Sequence, residues 1–453
     1  MWHVDEVVQA VNGVVFRIEH EIFSGISTDS RTIANGELFI PISGATFDGH
    51  KFIADAYDKS HGGTLCEKGR EDMLKSSQGT IILVDDTLKA LLDIARYKRK
   101  QIQGTFIAIT GSNGKTTTKE ILVAMIGSER KVHFNEKNYN NLIGVPKSIL
   151  ALDGNPECLI FELGTNSKGE IRQLAQLTEP DISLITNINP SHLEGLNDLK
   201  GVLEEKIDLF RYTKRGGHIL INADDPSLFP SYRDDDGHVS HTFGIDHDAD
   251  FQLIINEDLG WNGYDFTLKF HDDSIKVKTN LLGKHNLLNI LSASSIAFLV
   301  GISKERIKNT IEVFNPYAMR FNPIMAKKGY TVVDDSYNAN PSSVKWAIKT
   351  LSNLPCSGKR IAVLGDMKEL GEKTAYYHEE LGRFLKKSNI DNVMLIGEEV
   401  KCILKELNNG RGKFFYDKAS LIDYAKHHVT GGDVVLIKGS RAAKMEEIVE
   451  ALI

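Results

Sequence analysis

The residues with the most specific chemistry lie in the run 105–119, which reads Thr-Phe-Ile-Ala-Ile-Thr-Gly-Ser-Asn-Gly-Lys-Thr-Thr-Thr-Lys. Gly111 and Gly114 allow the backbone to approach an anion closely and to adopt dihedrals that a Cβ disfavours. Backbone N–H groups at such a turn, and at the start of the helix after it, point at the anion. Lys115 can reach terminal phosphates, and the Thr116 hydroxyl can bind Mg²⁺. The run therefore predicts an ATP-binding loop that consists of Gly111, Ser112, Asn113, Gly114, Lys115, Thr116 and Thr117.

One position departs from the general phosphate-loop pattern. That pattern has a glycine five residues before the Gly-Lys pair, where this chain has Ile109. The loop is therefore the shorter Gly-x-x-Gly-Lys-Thr form. A chance turn rich in Gly, Lys and Thr is the alternative, but the apolar strand before it and the helical pattern after it favour a binding loop.

Other candidate residues stand near the ends of apolar strands, where open α/β sheets bind ligands. Glu162 ends the run Leu-Ile-Phe-Glu and suits a second Mg²⁺ ligand, although a helix N-cap or a surface carboxylate gives the same pattern. His192 follows another strand, but a lone histidine is more often structural. Lys206, in Glu-Glu-Lys-Ile-Asp, is typical of a solvated helix face. Asn286 and Asn289 share one helix face, from which they either address a purine edge or cap the helix.

The last third of the chain has a dense set of hydrogen-bonding side chains after a predicted strand, at 334–341 (Asp-Asp-Ser-Tyr-Asn-Ala-Asn-Pro). So many polar and turn residues at one strand end favour a ligand site over a plain loop. The runs 363–371 and 436–441 end two more predicted strands in the same way. Arg320 lies just inside a linker at 314–317, from which it can reach a phosphate across a domain cleft.

The elements that must position these residues form a predicted α/β fold. From residue 105, strand and helix patterns alternate, which indicates a mostly parallel sheet with helices on both faces. Residues 251–280 interrupt this order with the alternation of an antiparallel ribbon, and a doubly wound parallel unit follows the linker. Three domains are predicted: a small α/β N-terminal domain at 1–85, a central phosphate-loop domain at 86–315 and a Rossmann-like domain at 316–453.

Composition excludes several functional classes. Of the 453 residues, 41% are hydrophobic and 25% charged, as in ordinary soluble globular proteins. The net charge of −7 gives no basic surface for nucleic acid, and no apolar stretch is long enough to span a membrane. The N-terminus lacks a signal-peptide pattern, and the four cysteines have no metal-binding spacing. A cytoplasmic enzyme without structural disulfides is expected.

Together these motifs resemble the Mur ligases, the ATP-dependent amide ligases of peptidoglycan assembly, over nearly the whole chain. The short loop at 110–117 is the form of this family, and the segments 138–146 and 162–171 look like those that follow it there. The polar runs at 334–341, 363–371 and 436–441 resemble those of the family members that add D-alanyl-D-alanine to UDP-N-acetylmuramoyl-tripeptide. The Asp-Asn-Pro-Arg signature of a neighbouring branch is absent.

The resemblance implies a reaction and two substrate sites. ATP converts the tripeptide carboxylate into an acyl phosphate, which the D-alanyl-D-alanine amine attacks to give the UDP-linked pentapeptide, ADP and phosphate. Motifs at 28–31, 36–39 and 47–52 resemble the uridine-nucleotide domain. The implied UDP-substrate residues are Ser30, Arg31, Asp48, Gly49, His50, Asn138 and Asn141. The implied D-alanyl-D-alanine residues are Tyr337, Asn338, Asn340, Lys438, Ser440 and Arg441.

The resemblance also implies roles around ATP and Mg²⁺. The lysine fourteen residues after the histidine is carbamylated in this family, which here is Lys206. Two Mg²⁺ sites are implied, one held by Thr116 and Glu162 and the other by His192 and carbamylated Lys206. The implied catalytic residues are Lys115, Glu162, His192, Lys206 and Arg320, and the implied ATP contacts beyond the loop are Asn286, Asn289, Arg320 and Asp335.

Two departures from the family pattern are small. Met319 precedes Arg320 where a glycine is usual, and Pro190-Ser191 replaces a pair of small residues before the histidine. Alternatives to the implied activity are a related ligase that joins another acid and amine outside the cell wall, and a phosphate-loop ATPase or nucleotide-regulated binding module. A monomer is expected.

Overall fold

The computed structural model describes residues 1–44, 47–74, 78–136, 138–229, 237–407 and 410–453, which form two compact units. The first unit comprises Met1–Phe106, Lys131–Leu163 and Arg172–Pro180. The second unit comprises Ile107–Arg130, Gly164–Ile171 and Asp181–Ile453. Each unit is therefore assembled from separate segments of the chain.

The N-terminal segment of the first unit supplies most of its elements. They are β1 (Trp2–His3), α1 (Val4–Val11), β2 (Val14–Arg17), β3 (Ile22–Phe23), β4 (Ile26–Ser27), β5 (Leu38–Phe39), β6 (Ser43–Gly44), β7 (Phe47–Asp48), α2 (Ile53–Ser60), β8 (Gly63–Glu67), β9 (Thr80–Val84) and α3 (Thr87–Arg99). Short 3₁₀ turns occupy Gly49–Phe52 and Glu71–Leu74.

A five-stranded sheet in the order β2-β9-β8-β5-β4 organises this unit. Strand β9 is buried throughout, and its alternate residues enter two different cores. Ile82 and Val84 pack with α1 and α3, while Ile81 and Leu83 pack with α2. Helix α3 starts where the Asp86 carboxylate accepts a hydrogen bond from the Lys89 N–H, which satisfies a free donor of its first turn.

The middle of the chain contributes to both units. Its elements are β10 (Thr105–Thr110), α4 (Lys115–Ile126), β11 (Val132–Phe134), α5 (Gly144–Leu150), β12 (Cys158–Glu162), α6 (Glu170–Thr178), β13 (Ile182–Ile185), α7 (Leu193–Leu196), α8 (Leu199–Arg211), β14 (His218–Asn222), β15 (Val239–Gly244), β16 (Phe251–Asp258), β17 (Tyr264–Phe270), β18 (Asp273–Thr279), α9 (Lys284–Leu299) and α10 (Lys304–Val313). A 3₁₀ turn occupies Gly260–Asn262.

In the first unit β11 pairs in parallel with β12. In the second unit the strands follow the order β10-β13-β14-β15-β16-β17-β18, parallel as far as β16 and antiparallel over the last three. Helices α4 and α9 pack against each other beside this sheet. The carboxyl ends of β10 and β13 therefore lie side by side, and the predicted ATP-binding loop follows β10.

The C-terminal part of the second unit forms a further sheet. Its elements are β19 (Asn322–Met325), β20 (Thr331–Asp334), α11 (Pro341–Asn353), β21 (Arg360–Gly365), α12 (Thr374–Lys386), β22 (Asn392–Ile396), α13 (Lys401–Glu406), β23 (Gly412–Phe415), α14 (Lys418–His428), β24 (Val434–Lys438) and α15 (Glu446–Leu452), with 3₁₀ turns at Gly371–Lys373 and Arg441–Ala443. The strand order is β19-β20-β24-β21-β22-β23, and every pair except β19–β20 is parallel.

The α/β fold predicted from the sequence is confirmed, and so are the antiparallel ribbon and the late parallel sheet. Sequence patterns did not single out β15, whose residues are only partly buried, so its apolar signal is weak. The division into three domains at 85 and 315 stays a prediction. Within the described residues, no helix is long and apolar enough to cross a membrane.

Candidate active site

The predicted ATP-binding loop connects the buried strand β10 to α4, and its two glycines are required by the local geometry. Gly111 has φ 148° and Gly114 has φ 83°, a region that favours glycine. A Cβ on Gly114 would lie 2.2 Å from Oδ1 of Asn289, and one on Gly111 would lie 1.9 Å from Oγ1 of Thr186. The Lys115 ammonium donates to the Gly111 carbonyl at 2.7 Å. The loop thus holds a cation against a close-packed turn.

The segment after β13 fixes this loop from one side. Asn187 accepts a hydrogen bond from the Asn113 N–H at 3.1 Å and donates to the Asn113 carbonyl at 3.0 Å. The Ser112 hydroxyl donates to the Asn189 carbonyl at 2.8 Å and accepts from Ser191 at 3.0 Å. Ser191, one of the two family departures, is therefore part of the support. The roles of Asn187 and Asn189 were not predicted, although their cluster at a strand end was a signal.

Asn286 and Asn289 support the loop from α9, where both are buried. Asn286 donates to the Leu282 carbonyl at 2.9 Å, and Asn289 donates to Asn286 at 3.2 Å. The N-cap of α9 is Gly283, with no side-chain cap bond, so the alternative that these asparagines cap the helix is wrong. Their contact with ATP stays a prediction.

Three side chains from the C-terminal part of the second unit contact the loop region. Arg320 Nη2 lies 3.3 Å from Oγ1 of Thr116. Asn340 Nδ2 donates to Oδ1 of Asn113 at 2.7 Å, and Ser342 donates to Oδ1 of Asn189 at 2.8 Å. The structure therefore brings together the predicted loop, Arg320 and the polar segment 334–341.

The residues on both sides of Arg320 have an unusual backbone conformation. Met319 has φ 63° and Phe321 has φ 50°, so a side-chain-bearing residue adopts the left-handed conformation on each side of it. The guanidinium lies 4.0 Å from the ring centroid of Tyr337, a cation–π contact. The family's usual glycine before this arginine would adopt the Met319 conformation without a Cβ penalty.

An ion pair between the buried Lys438 and Asp335 supports the segment 334–341. Lys438 Nζ lies 2.7 Å from Oδ2 of Asp335 and donates to the Asn338 carbonyl at 2.9 Å. Burial lowers the pKa of Lys438, while the Asp335 charge opposes that shift. Desolvation also lowers the pKa of the neighbouring, partly exposed His285 to about 4. Lys438 thus serves as an internal support for the loop.

The other residues that are predicted to bind D-alanyl-D-alanine differ in their exposure to solvent. Ser440 is buried, and its hydroxyl accepts a hydrogen bond from the Lys368 N–H at 2.7 Å. Asn338 and Arg441 are exposed, and the Arg441 N–H lies 3.3 Å from Oδ1 of Asn338. Asn340 caps α11 by accepting from the Ser343 N–H. The exposed members are therefore the ones accessible to a ligand.

His192 and Lys206 occupy distinct positions after β13. His192 has φ 52°, and its Nδ1 lies 2.6 Å from Oε2 of Glu369. The two atoms are in close contact, although Nδ1 makes no hydrogen bond of good alignment with any described residue. The contact with His192 lowers the pKa of the exposed Glu369. Glu369 lies in the polar run 363–371 that the sequence singled out, but it was not predicted individually as a site residue.

Lys206 lies on α8 and is only 1% exposed. The prediction of a solvated helix face is therefore wrong. Its neighbour Glu205 is also buried and accepts from the Gly169 and Ile171 N–H groups at 2.6 and 2.7 Å. Helix α8 thus turns two adjacent charged residues inward.

Glu162 belongs to the first unit, at the end of β12. It is 4% exposed, and Asn140 donates to its Oε1 at 2.8 Å. The alternatives of a surface carboxylate and of a cap for the next helix are wrong, because Glu162 is buried and α6 begins only at Glu170. Its carboxylate remains a suitable metal ligand.

The predicted UDP-substrate residues also lie in the first unit. Asp48 contacts the ring of the buried His50 at 3.0 Å and Arg70 at 2.9 Å. Burial disfavours the Asp48 carboxylate, but hydrogen bonds from His50 and Ser43 and the Arg70 charge hold its pKa at about 2.

Elsewhere in this set, Arg31 is exposed and forms a two-point pair with Asp29, while Lys59 donates to the Ser30 carbonyl. Gly49 is buried, Asn138 is exposed, and Asn141 accepts from the Ile143 and Gly144 N–H groups. These residues form local polar groups in the first unit, and their role in binding stays a prediction.

No group of three or more His, Cys, Asp or Glu side chains converges on a metal site in the described part of the chain. The implied ligands are of a different kind, because a threonine hydroxyl and a modified lysine belong to the set. The four cysteines are free, as expected.

Similarity to known proteins covers almost the entire chain. Residues 22–99 match the catalytic domain of the Mur ligase family, residues 109–297 its middle domain and residues 319–441 its glutamate ligase domain. A UDP-N-acetylmuramoyl-tripeptide–D-alanyl-D-alanine ligase from Bacillus subtilis is 33% identical and covers 99% of this chain and 98% of its own. The Escherichia coli ligase of the same name is 32% identical, over 94% of this chain and 93% of its own.

Solved structures give the same result. MurF from Acinetobacter baumannii superimposes with a TM-score of 0.91 at 28% identity, over 99% of this chain and 98% of its own. MurF ligase from Thermotoga maritima in complex with ADP gives 0.84 at 28% identity, over 94% of this chain and 96% of its own. The protein therefore belongs to the Mur ligase family.

Proposed function

We propose that this Mur ligase uses ATP to join D-alanyl-D-alanine to UDP-N-acetylmuramoyl-tripeptide, with release of ADP and phosphate. The observation that carries this proposal is similarity along the whole chain to ligases named for that reaction. The segment 334–341, whose Asn340 side chain donates to Asn113 of the ATP-binding loop, supports it further. A simple ATPase would not require a second sheet to supply polar side chains to the loop.

The chemistry requires activation of a carboxylate. A carboxylate anion repels nucleophiles and offers no leaving group, so one of its oxygens first takes the γ-phosphoryl group of ATP. The dipeptide nitrogen then attacks the carbonyl carbon, a C–N bond forms, and the C–O bond to phosphate breaks. The nitrogen loses its proton, and the products are the amide, phosphate and ADP.

The residues around the loop suit this transfer, which depends on positioning and charge neutralisation. Lys115 places a cation at the loop, and Arg320 places a second one beside Thr116. Tyr337 stacks on Arg320 and limits its orientations. We infer that both cations stabilise the phosphoryl group as its charge is redistributed.

We further propose that Thr116 and Glu162 hold one Mg²⁺ and that His192 and carbamylated Lys206 hold another. Bound Mg²⁺ neutralises phosphate charge and polarises the phosphoryl oxygens. The burial of Lys206 supports a role inside the protein and not on a solvated helix face. The neutral amine attacks CO₂, a N–C bond forms, one proton is released, and the product is an anion that suits a metal.

The substrate residues divide into contact and support roles in this proposal. Asn338 and Arg441 are exposed and meet the dipeptide, whereas Lys438 and Ser440 act from beneath the loop. In the first unit, Arg31 and Asn138 are exposed and meet the UDP-substrate, while His50 orients Asp48. Asp335 and the asparagines of α9 complete the proposed ATP site.

The direct test mixes the purified protein with ATP, Mg²⁺, UDP-N-acetylmuramoyl-tripeptide and D-alanyl-D-alanine. We expect phosphate release only when all components are present, and a product heavier than the tripeptide by one dipeptide minus water. Release that needs no dipeptide would support an ATPase and contradict the proposal. Release with another amine only would indicate a related ligase of different specificity.

The carbamate has a separate test. With ¹³C-labelled bicarbonate, the wild-type protein should show a carbamate carbon signal in its NMR spectrum that Lys206→Ala lacks. Lys206→Ala should lose most activity and regain part of it in high acetate. Lys200→Ala, a change at an exposed lysine of the same helix, is the matched control. A wild-type turnover in Lys206→Ala would contradict the assignment.

The monomeric state and the cytoplasmic location stay predictions. Size-exclusion chromatography with light scattering tests the first, and fractionation of cells tests the second.

A further inference from the structure

A turn in the C-terminal sheet region of the second unit contacts the segment that carries His192. The turn follows β21 and includes Glu369, with φ 64°, and Gly371, with φ 55°. Its contact with 192–194 has two points. The Glu369 carboxylate lies 2.6 Å from Nδ1 of His192, and the Glu194 N–H lies 3.2 Å from the Glu369 carbonyl oxygen.

The backbone on both sides of this contact adopts a conformation that side chains disfavour. His192 has φ 52° and Glu369 has φ 64°, and each left-handed residue of this kind costs about 1–2 kcal/mol. Such strain persists only where the surrounding structure holds it, and it concentrates at functional sites. Backbone strain is therefore present at both residues that form the His192–Glu369 contact.

The atoms involved determine what the contact can do. The carboxylate approaches Nδ1 and not Nε2, so this contact leaves the Nε2 side of the imidazole available. Histidines that bind metals commonly have their second nitrogen held by a carboxylate in this way, which fixes both the tautomer and the ring orientation.

We propose that Glu369 is a positioning residue for the ligase reaction, which holds the Nδ1 side of His192 so that Nε2 faces the reacting groups. The inference rests on the proposed function, since it takes His192 as a ligand of the catalytic centre. It makes the orientation of a histidine at the start of α7 depend on a carboxylate from the turn that follows β21. The imidazole is therefore correctly oriented only when the turn at 369–371 is docked.

The test compares Glu369→Gln and Glu369→Ala with Glu372→Gln, a change at an exposed glutamate of the same turn region. Both Glu369 variants should lower kcat by about 10–100-fold, the usual effect of removing such a partner. The KM for UDP-N-acetylmuramoyl-tripeptide should stay within about twofold of wild type, since Glu369 does not act on that substrate. Glu372→Gln should behave as wild type.

A second readout does not depend on turnover. Mn²⁺ binding to the protein with an unreactive ATP analogue, measured by electron paramagnetic resonance, should weaken in both Glu369 variants. In a His192→Ala background, Glu369→Gln should weaken Mn²⁺ binding no further, because the residue acts through the histidine. An equal further loss in that background would overturn the proposal.

Two other results would also overturn it. One is wild-type kcat and Mn²⁺ affinity in both Glu369 variants. The other is a loss of activity that follows thermal unfolding alone, with Mn²⁺ affinity unchanged. If the wild-type protein bound Mn²⁺ and nucleotide but gave no dipeptide-dependent phosphate release, the proposed function would fail while the Mn²⁺ comparison would remain informative.

Discussion

The ATP-binding loop at 111–117 and the segment 334–341 are both polar turns at the carboxyl ends of parallel strands, yet they are stabilised differently. The first depends on glycines, neutral hydrogen bonds and one adjacent segment, 186–191. The second depends on a buried ion pair from the distant β24 and on left-handed residues around Arg320. Added side-chain atoms at the glycines are therefore expected to disturb the ATP-binding loop, whereas loss of one partner of the ion pair is expected to disturb the segment 334–341.

The largest expected effect comes from removing the buried cation. Lys438→Met leaves the largely buried Asp335 carboxylate without its partner, which should cost about 3–5 kcal/mol of unfolding free energy. Urea unfolding followed by tryptophan fluorescence measures the loss. The double variant Asp335→Asn/Lys438→Met should recover most of it, since no unpaired charge remains. A stable single variant would show that this loop does not depend on charge.

A pH effect of nearly similar size should arise beside the ion pair. Burial depresses the pKa of His285 to about 4, so the folded protein keeps this ring neutral while the unfolded chain binds a proton near pH 6.5. Stability is therefore full above about pH 6.5 and falls as the pH drops toward 4, by up to about 3 kcal/mol.

Unfolding free energy measured between pH 7 and 4 checks this prediction. His285→Phe should flatten the curve, because the phenyl ring retains stacking against Trp346 and does not titrate. An unchanged slope in that variant would assign the pH dependence to other groups.

A smaller effect is expected from a single methyl group in the ATP-binding loop. Gly114→Ala places a Cβ against Asn289 and forces alanine into φ 83°. The affinity for ADP should fall by about 100-fold, or roughly 2.7 kcal/mol, as measured by calorimetry. Gly216→Ala is the control, since Gly216 has φ 75° with nothing within 4 Å of its added Cβ. Equal losses in both variants would indicate backbone strain alone.

The smallest effect concerns the residue before Arg320. Met319→Gly removes the Cβ from φ 63° but gives the unfolded chain more freedom, so stability should change by less than about 1 kcal/mol. Met319→Val should destabilise by about 1–2 kcal/mol, because a β-branched residue fits this conformation poorly. Thermal melting of the two variants gives the comparison. A stable valine variant would show that the backbone here is adaptable.

The same contrast explains what the sequence could predict. The ATP-binding loop was predictable because its glycines, lysine and threonine are adjacent in the chain, and each has a local physical reason. The strands of both parallel sheets were predictable because apolar runs mark them. Glu369 was not predictable as a partner of His192, because the two lie 177 positions apart in the chain.

Sequence patterns also failed to predict which charged residues are buried. Lys206 and Glu205 stand in a charged stretch that is typical of an exposed helix, and only packing shows that they point inward. Only the family resemblance drew attention to Lys206, and nothing drew attention to Glu205. Composition and periodicity describe single elements, whereas the interior position of a charge depends on the elements that cover it.

The first unit is discontinuous, and this affects the order in which it can be completed during synthesis. Its parts end at Pro180, while residues 107–130 and 164–171 belong to the second unit. A ribosome must therefore release the chain beyond residue 180 before every part of the first unit is available to fold. A fragment that stops at residue 106 lacks two of its three segments. Such a fragment is expected to be a poor substitute for the intact protein in studies of UDP-substrate binding.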